Sequence, residues 1–325
     1  MLACNARGTQ HRVSASIAGV SLYGQEPEAQ LLGTFLTNLD RRSVIDVGAE
    51  RGAFADEMLR AGSDEVYVID PEPTNAAYLR DRFHADARVS VLEYAISDAD
   101  GELDLHKSVD PSGAAITFGH TVLRRPDTDE IAWRGAVTVT SRSIASLVET
   151  GELPPRAGIL KIDTEGHDIS VVAGMGGLDV DVVMVEHWHH LPKSLGPCPW
   201  STEEMVSALG ARGFSHFAFI VHRREFVILQ WNDDTVPVGC MGNLVFLHDR
   251  VLGNLFPVLL ECASSLAQSA VGWGEMFAAE ADKRRGKIQA LSKTAEERLA
   301  LINELSMQPG NARKGLKRWR VRGKR

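Results

Sequence analysis

The chain has 325 residues, a formal net charge of −8 and the apolar content of an ordinary globular protein. This length allows one large domain with appendages, and the negative charge argues against a nucleic-acid groove as the main surface. The four cysteines form no C-x-x-C pair, which excludes a dense disulfide framework and favours a reducing, cytoplasmic setting. No stretch reads as a membrane span, and no apolar core of a signal peptide stands at the N-terminus.

The apolar pattern predicts an alternation of short strands and helices. A helix is predicted at 26–39. Strands are predicted at 43–47, 65–69, 89–92, 158–162 and 180–185, and the helices between them at 52–60, 74–83 and 167–173. This rhythm implies a mostly parallel sheet with helices on both faces, a Rossmann-like α/β fold. Such sheets bind ligands beyond the carboxyl ends of their strands.

The remaining segments are predicted to extend this core. Weaker strands are predicted at 101–105 and 136–140, with a Gly- and Ser-rich loop over the site at 110–119. A helix at 202–212 and strands at 214–221, 226–230 and 243–246 are predicted to complete the sheet. The predicted domains are an N-terminal segment with a helix at 1–40, the Rossmann-like domain at 41–250 and a helical C-terminal extension at 251–325.

The predicted C-terminal extension combines an apolar stripe at helical spacing with a basic end. The stripe occupies 288–305, and eight Lys or Arg residues without an acid stand in 311–325. Such an arm is able to support self-association or to dock on an acidic partner or an anionic membrane surface. A solvated end without a partner is the alternative.

The turn after the first strand has the pattern D-x-G-x-x-x-G, with Asp46, Gly48 and Gly52. Glycine allows a tight turn and a close approach of a ligand to the backbone. A dinucleotide fold would show G-x-G-x-x-G and direct a pyrophosphate at the helix N-terminus. An acid before the first glycine would repel a pyrophosphate but suits S-adenosylmethionine, which carries an ammonium group and a sulfonium and no phosphate. An ordinary βα turn is the alternative.

Two further strand ends are predicted to contact the cofactor. Asp70 ends the second strand, about 20 residues beyond the glycine turn, where a carboxylate can accept the ribose hydroxyls. A role as helix cap is the alternative, although Thr74 is predicted to be the better cap. Glu93 and Tyr94 follow the third strand, near the expected adenine ring. The predicted cofactor-binding residues are Asp46, Gly48, Ala49, Gly52, Asp70, Pro71, Glu93, Tyr94 and Asp163.

The run from 44 to 187 resembles the FkbM-type methyltransferases, over a little under half of the chain. The motifs are V-I-D-V-G-A at 44–49, D-P-E-P at 70–73, A-I-S-D at 95–98, L-K-I-D-T-E-G at 160–166 and V-E at 185–186. The resemblance implies a class I Rossmann-like methyltransferase fold, S-adenosylmethionine as methyl donor, and O-methylation of a sugar, glycan or secondary metabolite. The sequence departs from the family at Glu50 and Arg51, and at Asp70, where the family usually has Glu.

An acceptor pocket is predicted at the ends of the fourth and fifth strands, from Asp163, Glu165, Glu186 and His187. Methyl transfer gains from holding the hydroxyl against the methyl group and from a base that accepts the hydroxyl proton. Glu165 and His187 are the predicted bases. A divalent metal held by the three acids and a histidine is the alternative, and it is not favoured.

Two other functions compete with this interpretation. Nucleic-acid methyltransferases that act on amino groups place an Asp-Pro-Pro-aromatic type of motif after the fourth strand, where this chain has D-T-E-G at 163–166. A non-catalytic interaction module of the same fold is the other alternative, and the acids that remain at the strand ends argue against it. The identity of the methyl acceptor is left open by the sequence.

Overall fold

The computed structural model describes residues 14–15, 27–191, 195–223, 226–232 and 240–262. The strands are β1 (Ser14–Ala15), β2 (Ser43–Val47), β3 (Glu65–Ile69), β4 (Val89–Leu92), β5 (Ala95–Ser97), β6 (Gly101–Val109), β7 (Ala132–Ser143), β8 (Arg156–Ile162), β9 (Asp179–Trp188), β10 (His190–Leu191), β11 (Gly196–Pro197), β12 (His216–Arg223), β13 (Phe226–Trp231) and β14 (Met241–Leu247). The helices are α1 (Pro27–Thr37), α2 (Ala53–Arg60), α3 (Pro73–Phe83), α4 (Ile144–Glu149), α5 (Asp168–Ala173) and α6 (Thr202–Gly210), and residues 252–262 are also helical.

The central sheet has nine strands in the order β1-β13-β12-β14-β9-β8-β2-β3-β4. The neighbours β9, β8, β2, β3 and β4 run parallel. On the far side of β9, the strands β14, β12, β13 and β1 each pair antiparallel with their neighbour. The predicted fold class, α/β with a mostly parallel sheet and helices on both faces, is confirmed.

Each face of the sheet carries its own apolar core. Helices α1, α2 and α3 and the helix at 252–262 pack on one face, and α4, α5 and α6 pack on the other. The inner parallel strands β2, β8 and β9 are buried on both faces, whereas the edge strand β4 is only partly buried. Leu32 of α1 and Leu255 of the last helix belong to the same core, so this core continues past both predicted domain limits at 41 and 250.

A smaller sheet, β5-β7-β6, stands beside the central one. Its hairpin β6–β7 closes with the pair Val109 and Ala132 and shifts register between His106 and Ser108, a β-bulge. Residues 110–131, which connect the two strands, are called the strap below. The sequence predicted a loop over the site at 110–119, and the connection is twice that length.

Several predicted element ends differ from the structure. Helix α2 begins at Ala53, because Gly52 has a φ of 76° and lies in the left-handed region. Helix α3 begins at Pro73 with Glu72 as its N-cap, so the prediction of Thr74 as the cap is wrong. Strand β9 runs to Trp188, because β14 pairs with it along that length. The rest of the predicted C-terminal extension, with its stripe and basic end, lies outside the described residues.

No helix in the described parts of the chain is long and apolar enough to cross a membrane.

Candidate active site

A cleft opens at the carboxyl ends of β2, β3 and β8. The space that it encloses is about 120 Å³. Its floor and one wall come from the turns after these strands, and the strap covers it from the other side. The residues that line it are Val47, Gly48, Glu50, Asp70, Pro71, Asn75, Tyr94, Ala95, Ile96, Leu105, Thr117, Phe118, Gly119, His120, Val122, Asp163, Thr164, Glu165 and His167.

The turn after β2 depends on Gly48. Its φ is +78°, and a Cβ at this position would lie 1.7 Å from the carbonyl oxygen of Asp163. The amides of Gly48 and Ala49 both donate to the carbonyl of Ile69, at 2.9 and 3.1 Å. The backbone of the first turn is therefore clamped between β3 and β8, with Gly48 bare toward the cleft. Ala49 and Gly52 belong to the turn, where the Gly52 amide donates to the Ala49 carbonyl, and they do not line the cleft.

Asp46 is fully buried and does not line the cleft. It lies beside Lys161 in the register of β2 and β8, and the Lys161 ammonium contacts Asp46 Oδ1 at 3.1 Å. The same ammonium donates to the Gly48 carbonyl at 3.1 Å and lies 3.3 Å from Asp163 Oδ2. Burial raises the pKa of Asp46, and Lys161 opposes that rise. The predicted contact of Asp46 with the cofactor is therefore not supported, because Lys161 links Asp46 to the turn instead.

Asp70 lies at the cleft, and its carboxylate is held by the backbone. Oδ2 accepts from the Glu50 amide at 2.8 Å, and Oδ1 accepts from the Glu72 amide at 2.9 Å. Burial raises the pKa of Asp70 to about 7, although these hydrogen bonds oppose the rise. Each carboxylate oxygen can accept more than one hydrogen bond. Asp70 is thus a fixed hydrogen-bond acceptor at the end of β3, next to Pro71 in the cleft wall.

The strap is tied to this same wall. The Thr117 hydroxyl donates to Glu50 Oε1. The Asn75 amide nitrogen donates to the Thr117 carbonyl at 3.0 Å, while Asn75 Oδ1 is buried without a partner. Lys107, at the bulge of β6, donates to Glu72 Oε1 at 2.7 Å.

Glu93 and Tyr94 were predicted together near the adenine ring, and the structure separates them. Tyr94 lines the cleft, with its hydroxyl donating to Glu152 Oε2 at 3.0 Å. Glu93 does not line the cleft and pairs with Arg80 at 2.8 Å. Tyr94 can therefore contact a ligand in the cleft with its ring, whereas Glu93 lies away from the cleft.

Glu165 is the acid of the opposite wall. Its φ is 55°, in the left-handed region, and the strap amide of Gly119 donates to its Oε1 at 3.1 Å. Its Oε2 is buried without a partner among the described residues. Burial raises the pKa of Glu165 to about 8, and Asp163 raises it further while Arg125 opposes. Asp163 lies beside Glu165 in the cleft, so these two of the four predicted acceptor residues meet there.

Glu186 and His187 do not line the cleft, and they face opposite sides of the sheet. Val183 and Val185 of β9 pack in the core of α4–α6, whereas Met184 packs in the other core. This alternation directs His187 into the α4–α6 core, where its ring lies 4.5 Å from the ring of Trp200. Its Nδ1 is buried without a partner, and burial lowers its pKa to about 4. The structure therefore argues against His187 as a proton acceptor.

Glu186 takes the other face of β9, half-buried and opposite Asn243 of β14. Burial raises its pKa, and the nearby Asp163 and Glu165 raise it further. Because Glu186 and His187 point apart, the ligand set of the metal alternative is not assembled. No group of three or more His, Cys, Asp or Glu side chains in the described ranges is arranged to hold a metal ion.

Many of the cleft residues were not predicted from the sequence, and three of them carry aromatic side chains. His167 follows Gly166 at the start of α5 and contacts the Ser97 hydroxyl through Nε2 at 2.9 Å. Phe118 and His120 come from the strap, and Phe118 is 55% exposed. The sequence signal for Phe118 was a large apolar residue within the predicted Gly- and Ser-rich loop over the site. No local pattern marks His120, because its position depends on contacts with β6.

The fold and this cleft define a class I methyltransferase. More narrowly, the chain belongs to the FkbM methyltransferase family, because the sequence model of the methyltransferase FkbM domain matches residues 46–215, just over half of the chain. The predicted family is thereby confirmed.

One curated relative is the hexuronic acid methyltransferase AglP of Haloferax volcanii. It is 28% identical over 163 residues, which are 49% of this chain and 62% of the relative. The matched part thus spans less than two thirds of the relative's length.

Solved methyltransferase structures are also similar to this chain. The precorrin-6y C5,15-methyltransferase of Geobacter metallireducens is 9% identical, with a TM-score of 0.38, and the match covers 70% of this chain and 92% of that one. The magnesium protoporphyrin IX methyltransferase of Synechocystis, with bound S-adenosylmethionine, is 13% identical, with a TM-score of 0.35 and coverage of 67% and 77%.

Proposed function

We propose that this chain is an S-adenosylmethionine-dependent O-methyltransferase that acts on a sugar hydroxyl, with a hexuronic acid as the first candidate acceptor. The observation that carries the proposal is the single cleft between two unlike acids. Asp70 lies on one wall, fixed by backbone amides, and Glu165 lies on the other, with one carboxylate oxygen unpaired. The proposal adds the cofactor, the reaction and the acceptor class to the family membership.

The wall at β2 and β3 suits S-adenosylmethionine, which supplies an electrophilic methyl group on a sulfonium. Asp70 is placed to accept the ribose hydroxyls. Gly48 lines this wall without a side chain, and the close Asp163 carbonyl leaves no room for one. Tyr94 offers an aromatic ring for the adenine. Lys161, which pairs with the buried Asp46, donates to the Gly48 carbonyl and so holds the turn in place.

The wall at β8 suits the methyl acceptor. A hydroxyl that attacks the methyl group must lose its proton, and a positioned base accelerates such steps by about 10²–10⁴-fold. The Oε2 atom of Glu165 has no hydrogen-bond partner among the described residues and is buried behind this wall, so the wall must shift to expose it to the acceptor, while Oε1 is fixed by the Gly119 amide. A pKa of about 8 suits a carboxylate that gains a proton near neutral pH. We therefore assign proton acceptance to Glu165 and place Asp163 between the two substrates.

Two considerations favour a sugar as acceptor. The curated relative is named for hexuronic acid, and its match spans 163 residues, about half of this chain. The cleft also presents several hydrogen-bonding groups and the exposed Phe118 ring, and apolar ring faces suit the C–H faces of a sugar.

The proposal is tested in two steps with the full chain. Calorimetric titration with S-adenosylmethionine should give saturable one-site binding. A methyl transfer assay with radiolabelled cofactor should then label a glycan that contains hexuronic acid, and not the matched glycan whose hexuronic acid hydroxyls are already methylated. Absence of cofactor binding by the folded protein contradicts the methyltransferase assignment. Binding without label on any hydroxylated sugar contradicts the acceptor assignment.

A further inference from the structure

The strap holds His120 at the cleft with both of its chain neighbours fixed. The amide of Gly119 donates to Glu165 Oε1 at 3.1 Å. The amide and carbonyl of Thr121 pair with those of His106 in β6, at 3.2 and 2.8 Å. His120 therefore stands at a defined point of the cleft wall, one peptide away from the group that holds Glu165.

The bulge in β6 determines which ring nitrogen of His120 carries the proton. At the bulge, the Ser108 amide turns to the histidine and donates to Nδ1 at 3.0 Å. The Ser108 hydroxyl lies 2.7 Å from Nδ1 and also contacts the Phe118 carbonyl, so these two acceptors share its one proton. An amide N–H is always a donor, so Nδ1 must be the unprotonated nitrogen. The neutral ring then carries its proton on Nε2.

The Nε2 atom of His120 remains available to a ligand. The described residues offer it no hydrogen-bond partner, and it is not among the polar atoms sealed from solvent. Burial lowers the pKa of His120, and Lys107 lowers it further, so the ring is neutral at neutral pH. A neutral ring with Nδ1 occupied donates one hydrogen bond through Nε2 and accepts no proton there. His120 is therefore not a second base beside Glu165.

We propose that His120 donates a hydrogen bond from Nε2 to an oxygen of the sugar acceptor that neighbours the hydroxyl deprotonated by Glu165. The inference rests on the proposed function and deepens it. In this arrangement Glu165 accepts a proton and His120 donates a hydrogen bond. The two side chains are linked through Gly119, whose amide holds Glu165 and which precedes His120 in the chain. Such a pair recognises two adjacent oxygens of one sugar ring. A site built to hydrogen-bond an oxygen rejects the analogue that lacks it, because the buried donor is then left unpaired.

Two substitutions separate the roles of the two ring nitrogens. In His120→Asn, the shorter amide can accept from Ser108 where Nδ1 did, and the cleft donor is lost. In His120→Gln, the longer amide can place an N–H where Nε2 was. With methyl β-D-glucuronide as the probe, we expect KM for the glucuronide to rise about tenfold in His120→Asn and to stay within about threefold in His120→Gln, the range of one hydrogen bond. The Kd of S-adenosylmethionine should not change in either.

The tautomer itself is read by long-range ¹H–¹⁵N spectra of the full chain labelled in histidine, with His120→Gln used for assignment. We expect the Nε2–H form, and a shift of the Nε2 signal when the glucuronide is added to protein saturated with S-adenosylhomocysteine. An Nδ1–H form, an unmoved Nε2 signal, or wild-type KM in His120→Asn overturns the inference. The failure of the proposed function is distinct, because the wild-type protein would then either not bind S-adenosylhomocysteine or transfer no label from S-adenosylmethionine to any hydroxylated sugar.

Discussion

The two walls of the cleft are built in different ways. The wall at β2 and β3 belongs to the central sheet, and its groups are fixed by local backbone hydrogen bonds, as with Asp70 and the amides of Glu50 and Glu72. The wall at β8 meets the strap, which comes from the small sheet, and its groups are fixed by contacts between distant segments, as with Glu165 and Gly119. The wall at β2 and β3 is therefore determined by the central sheet, whereas the wall at β8 also depends on how the strap packs against it.

This difference matches the two substrates of the proposed reaction. A cofactor shared by many methyltransferases is met by the backbone of the sheet, whereas an acceptor that differs between enzymes is met by a connection that can vary. Substitutions on the two walls should therefore separate cofactor affinity from turnover.

Glu165→Gln should give the largest effect and should leave the cofactor wall intact. We expect turnover to fall by about 10²–10⁴-fold, because the proton acceptor is lost, with an unchanged Kd for S-adenosylmethionine. In the wild-type protein, kcat should rise with pH through about 8, since only the ionised carboxylate accepts a proton, and this rise should be absent in the variant. Wild-type turnover in Glu165→Gln would show that the acceptor wall contributes positioning alone.

Glu165 should also make the free energy of unfolding depend on pH. Burial raises the folded pKa of Glu165 from 4.5 to about 8, so the folded state binds more protons than the unfolded state between these values. The contribution of Glu165 to stability is then lost as pH rises through this window. Denaturant unfolding at several pH values should show a smaller loss in Glu165→Gln than in the wild-type protein.

Gly48→Ala should damage the cofactor wall and the fold together. The positive φ costs about 1–3 kcal/mol for a residue with a side chain. The clash of the Cβ with the Asp163 carbonyl adds about 1–3 kcal/mol through backbone shifts. Chemical denaturation should measure this loss, and calorimetry should show weakened cofactor binding in whatever folds. Gly101→Ala is the matched control, because a Cβ there meets nothing within 4 Å and should be nearly neutral.

Asp70→Asn should weaken cofactor binding without affecting the acceptor wall. Hydrogen bonds to a charged group contribute about 1.5–3 kcal/mol, so the Kd should rise about 10–150-fold. In the wild-type protein, affinity should fall as pH drops below about 7, because protonated Asp70 is a poorer acceptor, and Asn should remove this dependence. Glu93→Gln is the control, since Glu93 pairs with Arg80 away from the cleft. Equal affinities in both variants would contradict the ribose assignment.

His187→Leu should give the smallest effect, since it touches neither wall. Removing the buried, unpaired Nδ1 leaves an apolar side chain among Trp200 and Phe219, so stability should stay within about 1 kcal/mol or rise. Turnover and cofactor affinity should match the wild-type protein. A large loss of turnover with normal stability would return His187 to the acceptor side.

The sequence predicts several parallel strands well because each is a short apolar run that ends at turn residues. Strands β2, β3 and β4 were predicted to the residue, since apolar runs bounded by turn residues suffice to define a strand in a parallel sheet. Strand β9 was predicted three residues too short at its carboxyl end. Glu186 and His187 read as the end of a strand, and the partner that extends it, β14, lies more than 50 residues further along the chain.

The candidate site divides in the same way. Asp70 and Glu165 were found from their places after strands, and both lie at the cleft. Asp46 was expected there too, but its register neighbour Lys161 on β8 takes its carboxylate, and pairing between strands is not visible in the pattern of one strand. His120 was missed because a bulge 12 residues away, at Ser108, sets its position.

The closing pair of the β6–β7 hairpin has a consequence for engineering. Val109 and Ala132 face each other in register, so the strap leaves and re-enters the protein at neighbouring points. Lengthening a loop between fixed ends costs little, about 0.6 kcal/mol for each doubling. Segments from other family members could thus be grafted between these two residues without disturbing the strand register. Chimaeras that exchange 110–131 should carry new acceptor preferences, provided that they keep Thr117 and its contacts with Glu50 and Asn75 on the cofactor wall.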